Sequence, residues 1–308
     1  MSLSPAAAPP RTRADSTGLR AAMRGLRSLI KTRIVLMVMV ATALGYWAAA
    51  GSFRPVGTLA AALTGTALAS AGAGVLNNVL DRHVDARMVR TRQRALPQGS
   101  VAPSAAVWFG AALTACGAGL LAWQGGLSPA LLSLLAAALY LFVYTPLKPR
   151  TWLNTPLGAI PGAVPPLIGG AAATGGVPDA GPWIVFAMLF LWQHPHFYAI
   201  AWACRDDYRR AGLRMATEVG DGGRFMTVQV IGSLLLLLPV SLLLAAVGEA
   251  GVWYAAGAAA AGAVYLAAGI RFARRLDMPG SRLLLRVSVL YLPAILLLSI
   301  ADRFLPSM

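Results

Sequence analysis

Nine stretches almost free of charge run along this chain of 308 residues: 34–50, 57–76, 103–122, 128–144, 155–175, 182–203, 227–247, 251–270 and 283–301. Each is close to the roughly 20 residues that a helix needs to cross about 30 Å of hydrocarbon. Composition agrees. Hydrophobic residues make up 57% of the chain and charged ones 12%, where a soluble domain carries about 25% charged residues. Several stretches are broken by Gly or Pro, as at Pro161, Pro165 and Pro166. Neighbouring helices or a cavity satisfy the backbone groups that such breaks free. The pattern predicts an all-α, polytopic membrane protein with about nine transmembrane helices bundled around a central cavity.

The formal net charge of +15 raises the question of nucleic acid, and its distribution answers it. If the N-terminus is placed on one side and the chain alternates through nine spans, every Lys and Arg except Arg54 and Arg303 falls on that same side. This positive-inside pattern puts the N-terminus in the cytoplasm and leaves no basic tract for DNA or RNA. Residues 1–27, rich in Ala, Pro, Arg and Ser, are expected to form a disordered cytoplasmic tail, and 28–308 one membrane domain. The first apolar run lies too far in and is too long for a secretory signal. Scarce acids in the tail also suit an organellar transit peptide, but the reading favoured is a multi-pass protein of a bacterial inner membrane. Cys116 and Cys204 lie in or at the end of spans and have no disulfide or zinc spacing.

Chemistry gathers on the two long cytoplasmic loops, 79–102 and 204–226. In the first, Asn77, Asp81 and Asp85 recur at i, i+4 and i+8, which stacks them on one helix face. Oxygen donors at a membrane helix end suit Mg2+, which binds through one or two carboxylates plus substrate phosphate oxygens. Arg87, Arg90, Arg92 and Arg94 follow, and guanidinium forks match phosphate. Two acids alone would repel a diphosphate, so acids and arginines form one unit only together with a metal. The bland alternative, a solvated loop whose arginines fix topology, covers the arginines by themselves. It does not cover acids at the hydrocarbon edge, which by default mark function.

The second loop carries Arg205-Asp206-Asp207-Tyr208-Arg209-Arg210 after Trp192-Gln193-His194-Pro195-His196. Asp206 and Asp207 are both candidate metal ligands. Being adjacent, they cannot share a helix face, and Asp207 is favoured. His83, the third histidine, reads as a hydrogen-bonded core residue. The similar acidic loops, four helices apart, hint at an internal duplication.

Asn77-x3-Asp81-x3-Asp85, followed by Arg90-Thr91 and by Arg94 ahead of Leu96-Pro97, resembles the first aspartate motif of the UbiA-type intramembrane prenyltransferases, with Ala95 where the motif usually has Pro. Many of those enzymes have a more widely spaced second acidic motif than Asp206-Asp207. Three segments resemble one branch, the protoheme IX farnesyltransferases: Trp192 to His196; Lys148, Arg150-Thr151 and Asn154 through Gly158, Gly162 and Pro165-Pro166 to Gly169-Gly170; and Lys31-Thr32-Arg33-Ile34. The resemblance covers about residues 28–300. It implies transfer of farnesyl from farnesyl diphosphate to heme B with addition of water, giving heme O. It also implies Mg2+ on Asp81, Asp85 and Asp206 or Asp207, and diphosphate held by Arg90, Arg94, Lys148, Arg150 and Arg210. Asn77 would orient a ligand. Heme contacts fall on Trp192 and on His196 or His194. The partners implied are farnesyl diphosphate, heme B and membrane lipid, with a heme A synthase downstream. A quinone-precursor acceptor and a transporter remain the rival readings.

Overall fold

The computed structural model describes residues 24–220 and 223–305. Most of the expected N-terminal tail, 1–23, lies outside the described residues. Among these residues nine helices are long and apolar enough to span a membrane: α1 Thr32–Ala50, α2 Val56–Leu80, α3 Pro103–Gly125, α4 Leu127–Leu147, α5 Asn154–Thr174, α6 Ala180–Ala203, α7 Arg224–Ala246, α8 Val252–Arg275 and α9 Met278–Asp302. The chain is a multi-pass, all-α membrane protein. The packed region begins before residue 28. A helical turn over 24–28 leads into Leu29, which is buried with Val75, Val79, Leu96 and Val101.

Neighbours in sequence pack together: α1 on α2, α2 on α3, α3 on α4, α6 on α7, α7 on α8 and α8 on α9. α5 is the innermost span, with 72% of its apolar window buried against 22–56% elsewhere. Lipid tails give no hydrophobic drive between helices, so close packing depends on small residues. Gly45 and Gly169 are such residues at the α1–α5 crossing. A Cβ on Gly45 would lie 2.0 Å from the Pro166 carbonyl oxygen, and one on Gly169 2.0 Å from that of Thr42. The helical backbone of α5 breaks at Val164, between Ala163 and Pro165. There the ring of Pro165 removes a donor and displaces the preceding turn.

α6 joins the two halves of the bundle, packing on α1 and α5 on one side and on α7 and α9 on the other. Its deep residues Val185, Met188, Leu189 and Trp192 belong to the same apolar cluster as Leu234, Leu284 and Ile295. The loops at the site end are packed too. Met88 from the first loop is buried with Ala211, Leu213 and Met215 from the second.

Candidate active site

At the end of α2 the helix yields at Asp81 and resumes as a short helix, Arg82–Asp85. The i→i−4 bonds continue through the step: Asp81 N–H donates to the Asn77 carbonyl at 2.9 Å, and Asp85 N–H to that of Asp81 at 2.7 Å. Asn77, Asp81 and Asp85 therefore keep the common face that their spacing predicts. Asn77 and Asp85 are buried. His83, on the opposite face of the short helix, is exposed. This corrects its reading as a core residue, because the turn that buries Asp85 points residue 83 away from the bundle.

A second ladder meets the first. Tyr140, Tyr144 and Lys148 also recur at i, i+4 and i+8, at the corresponding end of α4. Tyr140 O–H donates to Asn77 Oδ1 at 3.0 Å, and Lys148 Nζ donates to Asp81 Oδ2 at 2.5 Å. Asn77 Nδ2 donates to Thr145 Oγ1 at 2.9 Å. The two tyrosine rings stack with centroids 5.4 Å apart, and the Lys148 ammonium lies 4.7 Å from the Tyr144 ring centre. Leu139–Tyr144 is π-helical, a widened turn found frequently at functional sites. Gly158 of α5 makes room for it. A Cβ there would lie 2.3 Å from Tyr144 Cδ2.

Lys31, at the entrance to α1, donates from Nζ to Asn77 Oδ1 at 3.1 Å. Burial, then the positive charges of Lys148 and Arg94, lowers its pKa to about 8. Arg94 pairs with Asp85 at 2.8 Å. A cavity of about 320 Å³ opens here, lined by residues that include Lys31, Asn78 and Arg94.

The second loop folds back on the first. The short helix Arg205–Ala211 carries Asp207, whose carboxylate accepts from the Val89 amide at 3.0 Å and from the Arg90 amide at 3.2 Å, and pairs with Arg210. Desolvation opposes its charge, but hydrogen bonds from Arg210 and the two amides outweigh it and hold the pKa below the ordinary carboxylate value. Arg214 N–H donates to the Lys148 carbonyl at 2.9 Å, and Asn154 Nδ2 to the Arg214 carbonyl at 2.8 Å.

The structure thus brings together Asn77, Asp81, Asp85, Arg94 and Lys148, and clips Asp207 to the backbone of Arg90. Asp206 instead projects outward, its side chain 65% exposed and 3.9 Å from Arg209. Arg150 is exposed. Lys31, Tyr140, Tyr144 and Thr145 are additions to the predicted site. The tyrosines repeat the spacing of the acids, which is the signal that would have found them.

Trp192, His194 and His196 lie inside α6, with His196 and His194 about 10 and 14 Å from its Ala203 end at 1.5 Å per residue. His194 Nδ1 lies 2.7 Å from the Phe190 carbonyl oxygen, an acceptor only, so Nδ1 carries the proton. His196 Nδ1 lies 2.7 Å from Ser288 Oγ. Ser288 Oγ itself donates to the Leu285 carbonyl at 2.8 Å, so it receives the Nδ1 proton of His196. In both rings Nε2 keeps the lone pair. Trp192 stacks on His196 with centroids 5.1 Å apart and donates from Nε1 to the Ser288 carbonyl at 2.7 Å.

Among the described residues no three His, Cys, Asp or Glu side chains converge as a metal cage. The donor set still fits Mg2+, which binds through one or two carboxylates and completes its shell with water and phosphate oxygens. Lys148 and Arg94 engage only Oδ2 of Asp81 and Asp85.

The sequence profile described as the UbiA prenyltransferase family matches residues 38–289. The chain belongs to that family. It is a prenyltransferase. Among curated proteins it is 40% identical over 291 residues to a protoheme IX farnesyltransferase of Solibacter usitatus, covering 91% of this chain and 99% of that one. It is 39% identical to one of Myxococcus xanthus, over 90% and 94% of the two chains. Two solved structures share the fold. A UbiA homologue from Aeropyrum pernix K1 has a TM-score of 0.71 and 18% identity, over 87% of this chain and 98% of that one. A UbiA homologue from Archaeoglobus fulgidus bound to GPP and Mg2+ has a TM-score of 0.63 and 16% identity, over 90% and 99%.

Proposed function

We propose that this chain transfers the farnesyl group of farnesyl diphosphate to a vinyl group of heme B, with addition of water, to give heme O and diphosphate. The observation that carries the acceptor is the 40% identity, across almost the whole length, to a relative named protoheme IX farnesyltransferase. The facing ladders support the donor half.

The reaction breaks the bond between farnesyl C1 and oxygen, and the electron pair leaves with the diphosphate. The vinyl π electrons form the new carbon–carbon bond. Water then adds to the cationic carbon beside the porphyrin ring and loses a proton. Asp81 and Asp85 would hold Mg2+, with Asp207 closing the site, and the ion when bound would supply positive charge to the leaving diphosphate. The chain's own cations do the rest of that work. Lys148, Arg94 and Lys31 lie around the Asn77–Asp85 face, and fixed charges aimed at developing negative charge lower a barrier without reorganising. Before substrate binds, Asp81 and Asp85 hold Lys148 and Arg94 in place. Asn77 fixes Lys31 and Tyr140. Tyr140 and Tyr144 set aromatic faces beside the diphosphate position, where they can stabilise an allylic cation. The apolar bundle below them shields the allylic cation from premature capture by water.

His196 presents Nε2 to the heme iron, with Trp192 and Ser288 holding its ring, and His194 is the second candidate ligand. Arg90, Arg150 and Arg210 draw the anionic substrate to the loop surface. The protein works in a bacterial inner membrane, the distribution of Lys and Arg supports an N-terminus in the cytoplasm, and its product is the substrate of a heme A synthase. Incubating purified protein with heme B and farnesyl diphosphate, with and without Mg2+, tests this. The expected result is a heme heavier by one farnesyl group plus one hydroxyl group, only with Mg2+. Heme of unchanged mass, beside prenylation of a quinone precursor, would overturn the acceptor assignment.

A further inference from the structure

The opposite end of the bundle carries a second built feature. α1 ends at Ala50, α2 begins at Val56 and α9 ends at Asp302, and these ends frame an open cavity of about 500 Å³ lined by residues that include Trp47, Phe53, Arg54, Val56, Arg303 and Phe304. Arg54 and Arg303 are the only two cations that the alternating topology places on this face, which the positive-inside rule otherwise keeps free of Lys and Arg. Both line the same cavity.

Arg303 is held rather than loose. Its guanidinium lies 5.5 Å from the Trp47 ring centre, and Trp47 is braced by Phe53 with centroids 4.8 Å apart. Gly51 leaves the space it fills. A Cβ there would lie 2.3 Å from Arg303 Nη1, and φ of +60° independently favours glycine. The adjacent acid is committed elsewhere. Asp302 accepts from the Gly251 amide at 2.5 Å and the Tyr254 amide at 2.9 Å, at the start of α8. Among the described residues neither Arg54 nor Arg303 forms an ion pair.

Two guanidinium forks without carboxylates match the oxygens of a phosphate. The rest of the cavity is apolar, and its rim continues outward through Val56, 68% exposed, and Phe304, 81% exposed. A free anion gains nothing from that rim, whereas an acyl chain covers it. We propose that this cavity binds the phosphodiester headgroup of an anionic phospholipid in the leaflet opposite the prenyltransferase site.

The test uses the full chain in neutral phosphatidylcholine nanodiscs, with phosphatidylglycerol as the probe and native mass spectrometry as the readout. Wild type should retain one phosphatidylglycerol that Arg54→Gln/Arg303→Gln releases at least tenfold more readily, while Arg54→Lys/Arg303→Lys retains part of it. Arg54→Gln alone, at an exposed side chain, guards against misfolding and should weaken retention in the same direction. Inorganic phosphate at millimolar concentration should not displace the lipid. Equal retention by wild type and the double Gln variant would overturn the proposal, as would binding of inorganic phosphate with no preference for phosphatidylglycerol.

Discussion

Asn77 engages neighbours from both ends of its amide: Oδ1 receives Lys31 and Tyr140, and Nδ2 reaches Thr145. Sequence spacing showed its face and not these partners, because a repeat on one helix does not say which helix it meets. Asp81 pairs with the buried Lys148 through Oδ2 and is one of the two carboxylates proposed to hold Mg2+. Asp81→Asn keeps the shape and removes the charge, so prenyl transfer should fall roughly 10²–10³-fold, the scale of losing one electrostatic group in an active site. Turnover of released diphosphate checks it. Lys31 gives a pH dependence. With a pKa of about 8, it carries its proton below pH 8, and bound diphosphate favours that proton. Affinity should be highest below pH 8 and fall above it by up to about tenfold per unit. Lys31→Arg, charged throughout, should flatten the decline in a pyrophosphate titration. Ser288 acts through His196. Ser288→Ala removes the acceptor that fixes the ring, so the heme Soret band should shift or broaden and heme should bind about tenfold more weakly. Ser288→Thr should restore it, and farnesyl diphosphate affinity should not change.

At the scale of elements, the nine spans were legible because membrane helices announce themselves by length and lack of charge, and all nine are present. Their packing was less so. The α1–α5 crossing depends on Gly45 and Gly169, but nothing in a run of small residues says which partner each one meets. The π-helical turn Leu139–Tyr144 was invisible for the same reason. It is specified by what α5 leaves open, above all at Gly158, which the sequence marked only through family resemblance. Gly158→Val should push Tyr144 out of its stack. Overpacking of this kind costs about 1–3 kcal/mol, so the melting temperature in detergent should drop. Activity should fall further than stability alone explains, because Tyr144 also carries Lys148. Loss of stability with normal turnover per folded molecule would separate the ladder from the catalytic site.

For the whole molecule, the site is a junction of two half-bundles, and the second loop closes it. The first half supplies both ladders. The second supplies Asp207, which grips the Val89 and Arg90 amides of the first loop, and Arg214, which grips Lys148. Sequence placed two acids on that loop, left only one of them for the metal because neighbours cannot share a helix face, and favoured Asp207, which Tyr208 follows. The structure adds what each one touches. Asp207 joins the loops, whereas Asp206 faces solvent beside Arg209, a pairing of the kind worth little at a surface. The two should therefore separate sharply. Asp206→Asn should stay within about twofold of wild type. Asp207→Asn keeps the size of the side chain but turns one acceptor oxygen into a donor facing backbone amides, so the first loop loses its anchor. Its KM for farnesyl diphosphate should rise and its kcat fall, together by about tenfold or more in kcat/KM, and protease cleavage within 86–99 should quicken. A variant with slow turnover but an equally protected first loop would restrict Asp207 to the chemistry of the diphosphate and remove it from the joint between the halves.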